Sequence, residues 1–163
     1  MNILVTNDDG ILAPALQALK AELSPLGRVV IVAPDRDQSA TSHSLTLHRP
    51  FRIHAHEPDV YSVDGTPTDC VLLGIGVLLP EKPSFVFSGV NHGPNMGEDV
   101  LYSGTVSAAM EAVTLGVPGI AFSFAGRDPE LMHGYRDTLV RLVRRITSIE
   151  DFPPGCYLDR KLE

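Results

Sequence analysis

Cysteine, long apolar runs and basic charge are all scarce in this sequence, and each shortage removes a class of protein. The two cysteines, Cys70 and Cys156, stand far apart with no paired spacing, so neither a disulfide framework nor a zinc site is predicted, as suits a reducing cytoplasm. The most lipid-like segment, residues 70–79, has about half the length that a membrane-spanning helix requires. The apolar start, residues 1–6, meets Asp8 and Asp9 at once, leaving no signal-peptide core or cleavage site, and a cytoplasmic location is expected. With 13 Lys and Arg against 20 Asp and Glu, the formal charge is -7, a field that repels polyanions. Nucleic-acid polymer is thus a poor partner, whereas a small phosphorylated ligand can still be drawn by a local cation or a helix N-terminus.

Several catalytic signatures are missing as well. There is no G-x-G-x-x-G for a dinucleotide, no G-x-x-x-x-G-K-[ST] for a nucleoside triphosphatase, and no G-x-S-x-G nucleophile elbow. What remains is a chain of 163 residues and 17.6 kDa, 44% hydrophobic and 20% charged. This composition is ordinary for one globular domain over residues 1–163.

The pattern along the chain predicts an α/β fold. Asn2 to Thr6 and Arg28 to Ala33 are continuous apolar runs of the kind buried on both faces of a parallel sheet. Between them Leu12, Leu16, Leu19 and Leu23 recur at helical spacing, with Pro14 suited to a first helical turn. Leu45 to His48, Phe51 to His56 and Val60 to Val63 alternate and predict short strands of a more exposed sheet. A helix is predicted from Thr66-Pro67 to about Leu79 and a strand over Phe85 to Val90. Ser103 caps a helix from Gly104 to about Leu115, Gly119 to Phe124 forms a strand, and Asp128 to about Ile146 forms a helix. The expected architecture is three-layer αβα, with a mostly parallel, Rossmann-like sheet and a small antiparallel addition.

Ligands of such sheets bind beyond the carboxyl ends of the strands. Three loops deliver oxygen-bearing side chains there: Asn7, Asp8, Asp9 and Gly10; then Asp35, Asp37, Ser39, Ser42 and His43; then Asn91, His92, Asn95, Glu98 and Asp99. Adjacent acids at a strand end repel one another unless a cation lies beside them, and oxygen ligands suit magnesium, manganese or calcium better than zinc. The plainer alternative is that one acid caps the first helix and the other is solvated. Ser103-Gly104-Thr105 offers hydroxyls and free N–H groups to an anion, or an ordinary helix cap. Together, a metal site and an anion cradle on one sheet edge suggest phosphate ester chemistry.

The stretches NILVTNDDGI at 2–11, VAPDRDQSATSHSLTL at 32–47, DGTPTDCVLLG at 64–74 and SGVNHGPNMGEDVLYSGTVSAAMEA at 88–112 resemble the SurE family of metal-dependent phosphatases acting on nucleoside monophosphates. The resemblance covers most of residues 1–125. It implies one divalent ion, Mg2+ or Mn2+ (Ca2+ in a crystal), held by Asp8, Asp9, Ser39 and Asn91, and a phosphate bound by Asn95, Ser103, Gly104 and Thr105. The implied activity is 5′-nucleotidase with broader acid phosphatase activity. Asp8, Asp9 and Asn95 would be catalytic, with His43 as proton donor to the leaving oxygen and water or Asp8 as nucleophile. A metal- and nucleotide-binding module without turnover is the rival reading. A haloacid-dehalogenase phosphotransferase is disfavoured, because D-D-G-I-L lacks the D-x-D spacing. Family members usually continue beyond a segment like Pro153 to Leu158 into a further strand and a hairpin that build dimers or tetramers. Residues 126–163 hold instead a helix and a shortened, divergent end, PPGCYLDRKLE, whose Asp159, Arg160, Lys161 and Glu163 are expected to be costly inside a sheet.

Overall fold

A computed structural model describes residues 1–126, 136–150 and 152–162. Seven strands form one sheet: β1 (Asn2–Thr6), β2 (Arg28–Pro34), β3 (Ile53–Glu57), β4 (Val60–Val63), β5 (Phe85–His92), β6 (Gly119–Phe124) and β7 (Tyr157–Leu162). Their order is β3-β4-β2-β1-β5-β6-β7. All neighbours run parallel except β3 and β4, which is the antiparallel addition expected from the alternating segments.

The helices are α1 (Pro14–Leu23), α2 (Pro67–Leu73), α3 (Asp99–Tyr102), α4 (Gly104–Thr114) and α5 (Arg136–Thr147). Alternate residues of the central strands feed two cores. Ile3, Val5, Ile31, Phe87 and Phe122 pack beneath α1 and α5 through Leu16, Leu19, Leu139 and Val143. Leu4, Val30, Val32 and Val86 pack beneath α2 and α4 through Cys70, Val71, Ala108 and Ala112. That two-sided burial is why these strands read as continuous apolar runs. No helix among the described residues is long and apolar enough to cross a membrane.

Four expectations fare differently in the structure. Residues 45–48 pair with nothing and form an irregular strap; Leu45 and Leu47 are exposed, so their alternation reflects no sheet face. Leu12 precedes α1 and is 86% exposed, outside the apolar stripe that Leu16, Leu19 and Leu23 make. The helix expected from Asp128 is seen from Arg136, and residues 128–135 lie outside the described residues. Finally, the charged segment after Leu158 does join the sheet, as β7. The cost expected of its charges shows at Asp159, whose Oδ1 is buried with no hydrogen-bond partner among the described residues and whose pKa is raised by burial. Asp159 and Lys161, two residues apart and so on one face, meet at 3.5 Å, while Leu162 is buried.

The topology fixes where a site can form. From β1 the chain passes through α1 on one face to β2, and from β4 through α2 on the other face to β5, so the strand order reverses between β1 and β5. The crevice of such a sheet opens at the carboxyl ends of those two strands. β5 adds a local device: its register with β6 shifts between Ser88 and Asn91. Gly89 permits this with φ +121°, where a Cβ would stand 2.3 Å from the Phe122 carbonyl oxygen. The bulge re-aims Asn91 and His92 at the sheet edge.

Candidate metal and phosphate site

The loop after β1 is closed by Asn7, whose Nδ2 donates to the Gly10 carbonyl at 3.0 Å and whose Oδ1 accepts from the Gly10 N–H at 3.2 Å. Gly10 takes φ +97° against the Arg36 backbone, and the Ile11 N–H donates to the Pro34 carbonyl at 2.8 Å. The β1 loop is thereby tied to the β2 loop. Asp8 and Asp9 project from this braced turn. Asn7 reads in the sequence only as a loop residue, although Asn-x-x-Gly is the signal of such a turn.

Asp8 is buried against the start of α4. Its Oδ1 accepts from the Thr105 hydroxyl at 2.5 Å and its Oδ2 from the Thr105 N–H at 3.1 Å, so a carboxylate sits on a helix N-terminus where the dipole favours it. Burial nevertheless raises the Asp8 pKa, the Thr105 bonds opposing and the nearby Asp37 charge adding. Asp9 is pushed up to about 6, first by burial, then by the charges of Asp8 and Asp37, with His92 opposing. Its Oδ2 is buried with no hydrogen-bond partner among the described residues. A buried carboxylate oxygen without a donor is the condition a cation relieves.

The other predicted ligands arrive from two loops. Ser39 gives its N–H to Asp37 Oδ1 at 2.7 Å, and the Ser39 side chain and backbone hold the Asp37 pKa below the usual range. The Ser39 hydroxyl oxygen carries lone pairs that a cation can use. Asn91, half-buried past the β5 bulge, gives Nδ2 to the Gly93 carbonyl at 2.9 Å and keeps its Oδ1 as an acceptor. Two carboxylates, a hydroxyl and an amide carbonyl form an all-oxygen set that fits a hard divalent ion. No three His, Cys, Asp or Glu side chains converge as a metal cluster among the described residues, so the fit depends on Ser39 and Asn91.

The anion side looks different from its expectation at one residue. Ser103 caps α4 by accepting from the Val106 N–H at 3.2 Å and keeps its own proton. Asn95, buried, gives Nδ2 to Ser123 Oγ at 2.8 Å, which fixes its amide and leaves a second N–H. Thr105, fully buried, spends both donors on Asp8. Those bonds serve the carboxylate, whereas the second Asn95 N–H and the Ser103 hydroxyl remain as donors. Gly104 is needed for the contact: a Cβ there would meet Asp8 Cβ at 2.9 Å, Asp8 Oδ2 at 3.1 Å and Pro67 Cγ at 3.1 Å. The Gly104→Ala variant is expected to bind Mn2+ about 10-fold more weakly by calorimetry, the scale of a displaced ligand support, with its far-ultraviolet circular dichroism unchanged.

A strap over residues 38–46 covers this edge. The Gln38 N–H donates to the Asp8 carbonyl at 2.8 Å and the Ser42 N–H to the Tyr102 carbonyl at 3.1 Å. Thr46 gives its N–H and hydroxyl to the two oxygens of Asp69, at 3.0 and 2.7 Å. Asp69 also completes the capping box of α2 with Thr66. His43 Nε2 lies 2.7 Å from Glu111 Oε2, a carboxylate buried on α4. This contact turns the ring toward α4 rather than toward the cradle. Glu111 lies seven residues after Gly104, about 10 Å along the helix at 1.5 Å per residue. The proton-donor role expected of His43 thus has a competing partner that the sequence does not announce. Ala40 and Ser42 hold φ values of 57° and 53°, a left-handed backbone costing roughly 1 to 2 kcal/mol per residue, which the anchors must offset.

A cavity of about 200 Å3 lined by Val113, Pro118, Phe152 and Cys156 opens elsewhere. It lies at the amino ends of β6 and β7, the opposite end of the sheet from the acids.

Comparison with known proteins points to one family. Residues 3–158 match the family model for "Survival protein SurE". The chain is 52% identical to the 5′-nucleotidase SurE of Gemmatimonas aurantiaca, covering 99% of this chain and 66% of the relative. With the 5′-nucleotidase SurE of Geobacter metallireducens it shares 50% identity, over 98% of this chain and 63% of the relative. The crystal structure of the SurE protein from Aquifex aeolicus superposes with a TM-score of 0.93 at 46% identity, covering 99% of this chain and 66% of that one. The chain therefore spans just under two thirds of the length of these relatives.

Proposed function

The chain belongs to the SurE family, and on that premise we propose that it hydrolyses nucleoside 5′-monophosphates to nucleoside and phosphate, with a broader reach to small phosphate esters. The observation that carries this reading is the acid pair: two carboxylates raised by burial, one with an unpartnered oxygen, at the switch-point crevice beside a capped helix start.

Asp8, Asp9, Ser39 and Asn91 would hold one divalent ion, Mg2+ or Mn2+. When bound, such an ion supplies positive charge against the phosphoryl oxygens and acidifies water. The chain's own groups do the rest. Asn95, Ser103 and the Gly104 N–H, supported by the α4 dipole, bind the phosphate oxygens and neutralise charge that grows in the transition state. Thr105 holds Asp8 in place through both carboxylate oxygens. With those oxygens engaged, Asp8 is better oriented as a ligand than as a nucleophile, and water is the attacking group.

The test is release of inorganic phosphate from a panel of nucleoside monophosphates and p-nitrophenyl phosphate, with Mn2+, Mg2+, Ca2+ or EDTA. Metal-dependent release from the monophosphates is expected. Nucleotide binding without release would favour a binding module.

A further inference from the structure

We propose that Glu111, through His43, is a positioning residue that sets Ser39 at the metal site. This rests on the ligand set of the proposed function and adds residues outside it. Glu111 is buried on α4, its carboxylate 2.7 Å from His43 Nε2. His43 terminates a short hydrogen-bonded path. Ser42 beside it is fixed to the Tyr102 carbonyl, the Thr41 hydroxyl donates to the Gln38 carbonyl at 2.9 Å, and the Gln38 N–H donates to the Asp8 carbonyl. Ser39 lies inside that path, between Gln38 and the left-handed Ala40.

The backbone around Ser39 is therefore not one the chain adopts by preference. Left-handed residues other than glycine persist only where their surroundings over-determine them. The anchor at Gln38 fixes the near end of the segment, and on the far side Ser42 is held to the Tyr102 carbonyl, His43 to the buried Glu111 and Thr46 to Asp69. A carboxylate taken out of water holds its partner strongly, because releasing it leaves a buried charge unpaired. Removing either member takes away one of these far-side anchors, the one made by a side chain on α4, and loosens the left-handed turn that presents Ser39.

The test is Mn2+ affinity by calorimetry in Ser39→Ala, His43→Ala, Glu111→Ala and the double variants, with thermal melts of each. Glu111→Ala and His43→Ala are each expected to weaken Mn2+ about 10-fold, the scale of a lost ligand support. Their double variant should lose no more than either alone. In a Ser39→Ala background, Glu111→Ala should change Mn2+ affinity less than 2-fold. An equal loss with and without Ser39, or no loss, overturns the coupling even if the melting temperatures fall. Unchanged affinity in Ser39→Ala alone removes Ser39 from the ligand set, and the inference falls with it. Because His43 is part-exposed on the strap, its variant separates positioning from damage to the core.

Discussion

Asp8→Asn is expected to cripple metal-dependent phosphate release, lowering kcat by about 10^2- to 10^3-fold, the scale of removing a group that stabilises transition-state charge. The substitution is nearly isosteric, so the loss has two chemical sources. One is the negative charge that draws the ion. The other is the fit to Thr105: the carboxylate accepts from that residue's hydroxyl at 2.5 Å and its N–H at 3.1 Å. An asparagine has one acceptor and one donor, so its NH2 would face one of two donors. Stability should not follow activity. Burial raises the Asp8 pKa, so its ionised form is disfavoured in the metal-free fold, and the uncharged variant sheds that desolvation cost. A melting temperature within a few degrees of the parent without metal, together with lost turnover, is the expected pair of results. Retained turnover would remove Asp8 from the site.

The second large effect concerns the metal itself. Saturating Mn2+ at about 100 times its Kd adds about 2.7 kcal/mol to folding, or roughly 5 to 10 °C in melting temperature for a chain of this size. This gain should depend on pH. Asp9 moves from 3.8 to about 6 in the fold, and Asp8 moves in the same direction. A carboxyl whose folded pKa is raised contributes stability fully present below its unfolded value, and that stability is lost as pH rises through the folded one. Between about pH 4 and somewhat above pH 6 the metal-free protein should therefore lose stability from this pair. Over the same interval metal binding strengthens, because ligands must be deprotonated. The melting shift on adding Mn2+ should be small at pH 5 and full at pH 7.5. Asp9→Asn should flatten the metal-free pH dependence and lose most of the shift. A shift that is equal at both pH values would refute the coupling.

The sequence was a good guide wherever burial is two-sided. Continuous apolar runs located the central strands, and Pro14, Thr66-Pro67 and Ser103 marked helix starts that the structure places at Pro14, Pro67 and Gly104. It misled at edges. Leu45 and Leu47 alternate like a strand, yet alternation cannot tell whether a pairing partner is within reach. The charges of residues 159–161 argued against a strand, yet the segment pairs with β6 and the expected cost appears at Asp159, whose Oδ1 is buried without a partner among the described residues. The candidate site residues were picked from three loops because strand ends concentrate polar side chains. Their partners were not. Glu111 is one acid in a helix of apolar and small residues, and its contact lies 68 positions away at His43. Thr105 reads as an anion donor until Asp8, 97 residues distant, is seen to occupy it.

That last separation has a consequence for the order in which the molecule is made. A chain emerging from the ribosome presents Asp8 and Asp9 early, but the helix start that accepts Asp8 and the carboxylate that fixes the strap come after residue 103. Until then the two acids stand in water, ionised at ordinary cost and without a chelating frame. The proposed site can therefore be assembled only after α4 has been made.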